Sequence, residues 1–180
     1  MPGSHTILKH KPLIYRGRAS QFCFLARPCI GINGLGRKFS RETIMPEWLF
    51  KEEPTHYSFD DLVRDGRTTW HGVTNALALK YLSQVHRGDL IFYYHTGSEK
   101  AVVGIMRAVT DAYLPGKETK LYVVDVEPVE KLPRPVSLAE IKAQPQCADW
   151  ELVRLPRLSV MPVPRAIWNL ILELARKPSQ

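Results

Sequence analysis

The segment Leu90–His95, which reads Leu-Ile-Phe-Tyr-Tyr-His, places the strongest constraint on how this chain can fold. Its residues are almost continuously apolar, which is typical of a strand that is buried on both faces. A turn at 97–99 leads into a second apolar segment at 101–110, whose Gly104 indicates the close approach of another backbone or a ligand. Strands that follow each other so closely are expected to pair antiparallel.

Short helices and further strands surround these two segments. Ser58 and Ser137 each begin a capping-box pattern, and Gly66 can take the left-handed conformation that ends a helix. Periodicity predicts, in chain order, a strand at 47–51, helices at 58–66 and 73–83, strands at 90–95, 101–110 and 121–129, a helix from Ser137, a strand at 158–163 and a helix from Pro164. This order predicts a mixed α/β (α+β) fold in one domain, a small β-barrel with helices outside. Strand order is left open.

The positive charge of the chain is confined to its first quarter. Residues 1–44 contain eight Lys/Arg and one acid, Glu42, whereas residues 45–180 contain 17 basic and 17 acidic residues. We expect 45–180 to be the folded domain, which would bind a polyanion only through a local patch. The segment 1–44 has three interpretations: a disordered basic tail, an organellar transit peptide, or translated sequence upstream of a true start at Met45.

Several classes of function lack a signal in this sequence. Cys23, Cys29 and Cys147 have neither zinc-ligand spacing nor the pattern of a disulfide framework, and no apolar run approaches the ~18 residues of a membrane span. We therefore expect no metal, no cofactor and no membrane association. Without a signal peptide, a cytoplasmic location is expected.

Trp70 is the strongest candidate for a binding residue. It follows Thr68 and Thr69, precedes Gly72, and lies just before a helix, where a loop can hold an indole face open to a ligand. Stacking of an aromatic side chain on a nucleobase contributes ~1–3 kcal/mol whatever the base. The alternative is a core tryptophan that fixes the loop on the barrel.

Spaced motifs between Pro46 and Leu172 resemble the EVE domain family. The residues that carry the resemblance are Trp48-Leu49-Phe50-Lys51-x-Glu53-Pro54, Tyr57-Ser58, Asp65-Gly66-x-Thr68-x-Trp70-x-Gly72-Val73-x-Asn75, Gly88-Asp89, Tyr94-His95 and Leu158-Ser159-Val160. The resemblance implies a PUA-like pseudobarrel flanked by short helices and related to the YTH domain. It also implies a non-catalytic module that captures a modified nucleobase, methylated or oxidised cytosine, in DNA or RNA, and a nuclear location if the source is eukaryotic.

The chain departs from the family pattern directly after Trp70. Members of the family commonly continue as W-D-G-V-R-N-x-Q-A-R, whereas this chain has His71, Thr74, Leu77 and Leu79 in place of the aspartate, arginine, glutamine and second arginine. These changes remove donors to phosphates and base edges. The identity of the ligand is therefore less constrained than the fold.

The expected binding residues form two sets. The expected base pocket contains Trp70, Tyr57, Ser58, Asn75, His95, Trp48, Lys51, Glu53 and Tyr94. The expected phosphate contacts are Arg64, Arg67, Lys80 and Arg87. Each has a structural alternative: Ser58 and Asn75 suit helix caps, Trp48 suits the core, His95 suits a satisfied strand end, and the charged residues suit solvated surfaces.

Two other classes of function compete with the binding module. An enzyme acting on a nucleobase or nucleoside would need an acid–base pair, for which His95 and Glu53 are candidates, but the zinc-deaminase signature is absent from the sequence. A small-molecule or protein interaction module could use the same aromatic surface.

Overall fold

The computed structural model describes residues 46–116 and 118–178, and the expectations for 1–44 and for a start at Met45 lie outside this part of the chain. The strands are β1 (Glu47–Glu52), β2 (Thr68–Trp70), β3 (Leu90–His95), β4 (Ala101–Ala108), β5 (Val124–Ser137) and β6 (Val160–Val163). The helices are α1 (Phe59–Asp65), α2 (Ala76–Leu82), α3 (Leu138–Lys142), α4 (Glu151–Arg154) and α5 (Arg165–Arg176), with a 3₁₀ turn at Pro145–Cys147. None of these helices is both long and apolar enough to cross a membrane.

All six strands belong to one sheet that is curled into a half-barrel, in the order β2-β5-β4-β3-β1-β6. The pairs β3–β4 and β4–β5 are antiparallel, as expected for strands close in sequence, and the pairs β2–β5 and β1–β6, which join distant segments, are antiparallel as well. The pair β1–β3 is parallel, because α1, β2 and α2 intervene between these two strands and carry the chain back to the same end of the sheet. The mixed α/β fold expected from the sequence is confirmed.

Strand β3 is buried on both faces, as its continuous apolar sequence predicts. On one face Phe92 stacks on Trp168 of α5, with ring centroids 3.7 Å apart and planes inclined by 20°. On the other face Tyr93 meets the edges of Phe59 and Trp70, with centroids 5.4 Å away in each case. Neighbouring residues of one strand thus anchor the two layers that cover the sheet, and such aromatic pairs contribute ~0.5–1.5 kcal/mol each beyond their buried area.

Local signals in the sequence predict the helix ends well. Ser58 and Ser137 both form complete capping boxes, with Asp61 and Glu140 as the reciprocal partners. Gly66 ends α1 with φ of +73°, the left-handed conformation for which glycine carries no steric penalty. These interactions involve residues within four positions of one another, so local sequence is sufficient to predict them.

Two expectations for the segments between these elements are wrong, and two short elements were not predicted. The residues around Trp70 form a short strand instead of a loop, because β2 pairs with β5 in the register Trp70↔Val124. Strand β5 continues beyond 129 to Ser137, since Pro133 and Pro135 lie where the register with β4 shifts and no ladder donor is needed. The 3₁₀ turn and α4 are too short to show periodicity in the sequence.

The neighbour of Gly104 is a side chain and is neither a backbone nor a ligand. A Cβ atom at this position would lie 2.4 Å from Cζ of Phe59, so the ring of the first residue of α1 rests directly on the backbone of β4. Phe59 is itself fully buried against Tyr93. The absence of a side chain at position 104 therefore lets α1 pack against the sheet.

We expect Gly104→Ala to lower the free energy of unfolding by ~1–3 kcal/mol, because a methyl group would overlap the Phe59 ring in a packed core. Urea denaturation of the variant and the wild type measures this difference. Gly116→Ala is the matched control, since a Cβ atom there has no neighbour within 4 Å, and we expect a change within ~0.5 kcal/mol. Equal effects of the two substitutions would contradict this account of α1 packing.

Candidate functional site

The indole of Trp70 forms one wall of an open pocket beside β2. Only 5% of this residue is exposed, because its ring packs against Phe50 at 5.2 Å and Tyr93 at 5.4 Å between centroids. The pairing of β2 with β5 fixes the backbone on the other side. Trp70 is thus a core residue whose small exposed part borders the pocket, which supports the core alternative stated for it, and stacking of the indole on a base stays a prediction.

We call this cavity the Trp70 pocket. Its volume is about 460 Å³, within the ~300–1,000 Å³ range that is typical of small-molecule sites. Its lining consists of Glu52, His56, Tyr57, Thr68, Thr69, Trp70, His71 and Gly72. The lining residues therefore contribute an indole, a phenol ring, one carboxylate, two imidazoles and three hydroxyl groups around a space that could hold a small planar group.

Hydrogen bonds at the rim hold Tyr57 and Thr69 in place. The Tyr57 hydroxyl donates to Oδ2 of Asp65 at 3.0 Å, and burial together with this bond raises the pKa of Tyr57. The Thr69 hydroxyl donates to Oδ1 of Asp125 at 2.7 Å, and this bond lowers the pKa of Asp125, with Arg67 adding a salt bridge. The polar groups of the rim are thus oriented by neighbours before any ligand binds.

Glu52 is the acidic group of the pocket and was not among the residues expected from the sequence. It is half-buried, its Oε1 accepts from the Glu53 backbone N–H at 3.0 Å, and His56 Nδ1 lies 3.9 Å from the same oxygen. The alternation of side chains along β1 could have predicted Glu52, because Trp48, Phe50 and Glu52 share the face that packs toward Trp70 and α2. Among the expected residues, only Tyr57 and Trp70 line this pocket.

Ser58, Asn75 and Trp48 have structural partners that account for their positions. The Ser58 hydroxyl accepts from the Asp61 N–H and donates to its carboxylate, which lowers the pKa of Asp61 to about 2. Asn75 caps α2 by accepting from two backbone N–H groups, and its side chain borders a separate apolar cavity. Trp48 is buried and donates from Nε1 to Asp89 at 2.9 Å.

His95 lies in the core, away from the Trp70 pocket. Its Nε2 accepts from the backbone N–H of Phe59 at 3.0 Å, so its Nδ1, 2.6 Å from Glu99, carries the proton of a neutral ring. The imidazole therefore satisfies a free N–H group at the start of α1. Glu53 does not bond to His95 and instead accepts from the Thr96 hydroxyl at 2.6 Å, so the acid–base pair considered for an enzyme is not assembled.

Lys51 and Tyr94 lie on the opposite face of β1 and β3 from the Trp70 pocket. The Lys51 ammonium donates to the Pro156 carbonyl at 3.1 Å and lies 5.7 Å from the centroid of the buried Tyr94 ring. Burial lowers the pKa of Lys51 to about 8 and raises that of Tyr94 to about 12. The two residues belong to a second cavity.

The four expected phosphate contacts differ in whether an acidic side chain of the protein already pairs with them. Arg64 forms salt bridges with Asp61 and Asp65, and Arg67 forms one with Asp125. Lys80 and Arg87 are exposed and form no salt bridge within residues 46–116 and 118–178. Their role in phosphate binding stays a prediction.

The burial of Lys51 makes stability depend on pH. Below about pH 8 the Lys51 ammonium is charged in both the folded and the unfolded protein, so the folded protein bears the cost of its desolvation. Between about pH 8 and the ordinary lysine pKa of 10.5, the folded protein has released this proton while the unfolded protein still holds it. We therefore expect the free energy of unfolding of the wild type to rise relative to that of Lys51→Met across this range by ~1–2 kcal/mol. Urea denaturation at pH 7.5 and 10.5 measures the change, with Lys80→Met as the exposed control. If the difference in free energy of unfolding between wild type and Lys51→Met were the same at both pH values, the burial argument would be contradicted.

Comparison with known proteins identifies the family. Residues 47–174 match the sequence model of the EVE domain. Thymocyte nuclear protein 1 from Homo sapiens is 27% identical over 172 residues, with 76% of each chain covered.

Solved structures agree with this match. The NMR structure of Rpa0253 from Rhodopseudomonas palustris has 37% sequence identity and a TM-score of 0.69, and the match covers 72% of this chain and 92% of that one. The crystal structure of human THYN1 protein in complex with 5-methylcytosine containing DNA has 25% identity and a TM-score of 0.68, covering 74% and 99%. Because the family model matches residues 47–174, which is most of the chain, the chain belongs to the EVE domain family.

Proposed function

We propose that this protein binds DNA that carries a modified cytosine, and that the modified base enters the Trp70 pocket. The observation that carries the proposal is the pocket itself, which combines a fixed indole wall with one carboxylate in a space of about 460 Å³. The human relative solved in complex with 5-methylcytosine containing DNA supports the class of ligand. A base must leave its stack to enter such a pocket, which costs a few kcal/mol in a duplex and less in a single strand.

Trp70 and Tyr57 provide the apolar contacts for the base. The indole is held by Phe50 and Tyr93, so it loses little conformational entropy when a ligand binds. The Tyr57 ring is half-buried and fixed through its hydroxyl to Asp65. A methyl group on the base adds apolar area to this contact, and each buried CH₂-sized group contributes ~0.8 kcal/mol.

Glu52 is our candidate for the group that selects cytosine. A carboxylate accepts from the exocyclic N4 amine of cytosine, whereas thymine presents a carbonyl oxygen at the same position. Glu52 lines the pocket, and its Oε1 is already oriented by the Glu53 backbone N–H. Glu53, which the sequence places in the expected base pocket, does not line this cavity and has the Thr96 hydroxyl as its partner.

The oxidation state of the modification and the type of nucleic acid form the finer part of the proposal. Thr68, His56 and His71 line the pocket, and their hydroxyl and imidazole N–H groups could donate to a hydroxymethyl or carboxyl group, whereas the Thr69 hydroxyl already donates to Asp125. Oxidised cytosines and RNA therefore belong in the same binding panel as 5-methylcytosine in DNA. We expect residues 45–180 to carry the preference for the modification and the basic segment 1–44 to add attraction to phosphates.

We expect the full chain to bind a short oligonucleotide with one 5-methylcytosine at least ~5-fold more tightly than the unmodified strand, and Trp70→Phe to weaken the modified complex ~5–10-fold by reducing the stacking area. Fluorescence anisotropy at fixed salt, on single-stranded and duplex DNA and on RNA, measures both effects. Trp168→Phe, which makes the same change on the other face of the sheet, is the matched control and should keep the preference. A preference that survives Trp70→Phe, or that Trp168→Phe also removes, would place the base elsewhere.

We also expect Glu52→Ala to weaken binding of modified cytosine by ~5–100-fold, because it removes the acceptor for the N4 amine. Binding of an oligonucleotide with thymine at the same position should not weaken. Glu130→Ala removes an exposed carboxylate on β5 and is the control for the change in net charge. If both oligonucleotides lost affinity to the same extent, Glu52 would have no role in selecting cytosine.

A further inference from the structure

A second cavity opens on the opposite face of β1 from the Trp70 pocket. We call it the lysine pocket; its volume is about 300 Å³, and it lies between the ends of β1 and β3 and the helices α3 and α4. Lys51, Lys100 and Lys142 line it together with Tyr94, Thr96 and Pro156. Two of the lysines, Lys100 and Lys142, are separated by 42 positions in the sequence, so only the fold brings them together.

The three ammonium groups have no anionic partner in the part of the chain that the structure describes. None of them takes part in its salt bridges, although seven pairs that involve Lys or Arg occur elsewhere. Of the acids nearest in sequence, Glu52 lines the Trp70 pocket and Glu99 accepts from His95. Glu53 lies at the edge of the lysine pocket, where its Oε2 accepts from the Thr96 hydroxyl. One carboxylate therefore faces three ammonium groups, and the pocket keeps an excess of positive charge.

Burial makes this arrangement costly for the isolated protein. Lys51 is half-buried with a carbonyl as its hydrogen-bond partner, and burial lowers its pKa to about 8, so it is still mainly protonated at neutral pH. Residues 45–180 carry equal numbers of basic and acidic residues, so three lysines around one cavity are a local excess of charge and not a reflection of overall composition. Such an excess is relieved when an anion binds among the ammonium groups.

The chemistry of the lining indicates the class of anion. Lysine binds phosphate as a point charge with three donors, whereas the Thr96 hydroxyl already donates its hydrogen to Glu53 and has none left for a phosphate. The side chains of Tyr94 and Pro156 supply apolar walls, which reduce the local dielectric and strengthen the attraction. We propose that the lysine pocket is a binding site for a phosphate group.

Two sources of phosphate share this chemistry. One is a backbone phosphate of the DNA strand whose base enters the Trp70 pocket, and this version rests on the proposed function. It is supported by the positions of Lys51 and Glu52, which are consecutive and direct their side chains to the two pockets. The other is a free phosphate ester. In both cases the departures at Thr74 and Leu79, which lack the arginines common in the family, leave phosphate binding to residues outside that motif.

Inorganic pyrophosphate tests the site without any base. We expect isothermal titration of the full chain, at constant ionic strength in chloride, to show pyrophosphate binding that is weakened at least 10-fold in the double variant Lys100→Gln/Lys142→Gln. Both lysines are exposed, so these substitutions should not disturb the fold, and thermal unfolding verifies this. The double variant Lys120→Gln/Lys177→Gln removes two other exposed lysines and should bind like the wild type. Absence of pyrophosphate binding by the wild type, or equal binding by both double variants, would overturn the proposal.

The salt dependence of DNA binding then separates the two sources. If a backbone phosphate occupies the pocket, Lys100→Gln/Lys142→Gln should reduce the slope of log K against log salt by ~1 relative to the control variant, and pyrophosphate should compete with the oligonucleotide. If the natural ligand is a free ester, Lys100→Gln/Lys142→Gln should lose pyrophosphate binding, but its slope for DNA binding should equal that of the control variant. Trp70→Phe should leave pyrophosphate binding intact, so a failure of the base pocket and a failure of the lysine pocket give different results.

Discussion

The burial of β3 on both faces is the interaction on which the rest of the structure depends. Phe92 and Tyr93 are adjacent, yet one stacks on α5 and the other contacts Phe59 and Trp70, so a single strand joins both layers that cover the sheet. The position of Trp70 follows from this contact, because the packing of the indole on Tyr93 fixes the place where Trp70 borders the pocket. The candidate site is therefore an extension of the core, and its rigidity derives from core packing.

The end of β1 distributes charge between the two faces of the sheet. Glu52 lies in the Trp70 pocket and Lys51 in the lysine pocket, because successive side chains of a strand point to opposite faces. A carboxylate is thereby available to a base with an exocyclic amine, and an ammonium group is available to a phosphate. In the proposed complex, one strand terminus would separate recognition of the base from recognition of the backbone.

Local patterns allowed much of the secondary structure to be predicted from the sequence. The caps at Ser58, Asn75 and Ser137 and the end of α1 at Gly66 depend on neighbouring residues, and the structure contains all four. The predictions were wrong where pairing partners are distant: β2 becomes a strand only because β5 lies beside it, and the second half of β5 tolerates prolines only because its register with β4 shifts. Such long-range pairing leaves no periodic signal in three residues or in a proline-rich segment.

The sequence by itself determined the family, the central buried strand and the helix caps, because each depends on a motif or on the residue type at a local position. Only the tertiary structure decided which polar residues share a pocket. It assigned His95 to the start of α1, Glu53 to Thr96 and Lys51 to the far face, and it brought Glu52, Tyr57 and Trp70 together. The physical reason is that a side chain's surroundings depend on strand register and on packing across the sheet, which join residues far apart in the chain.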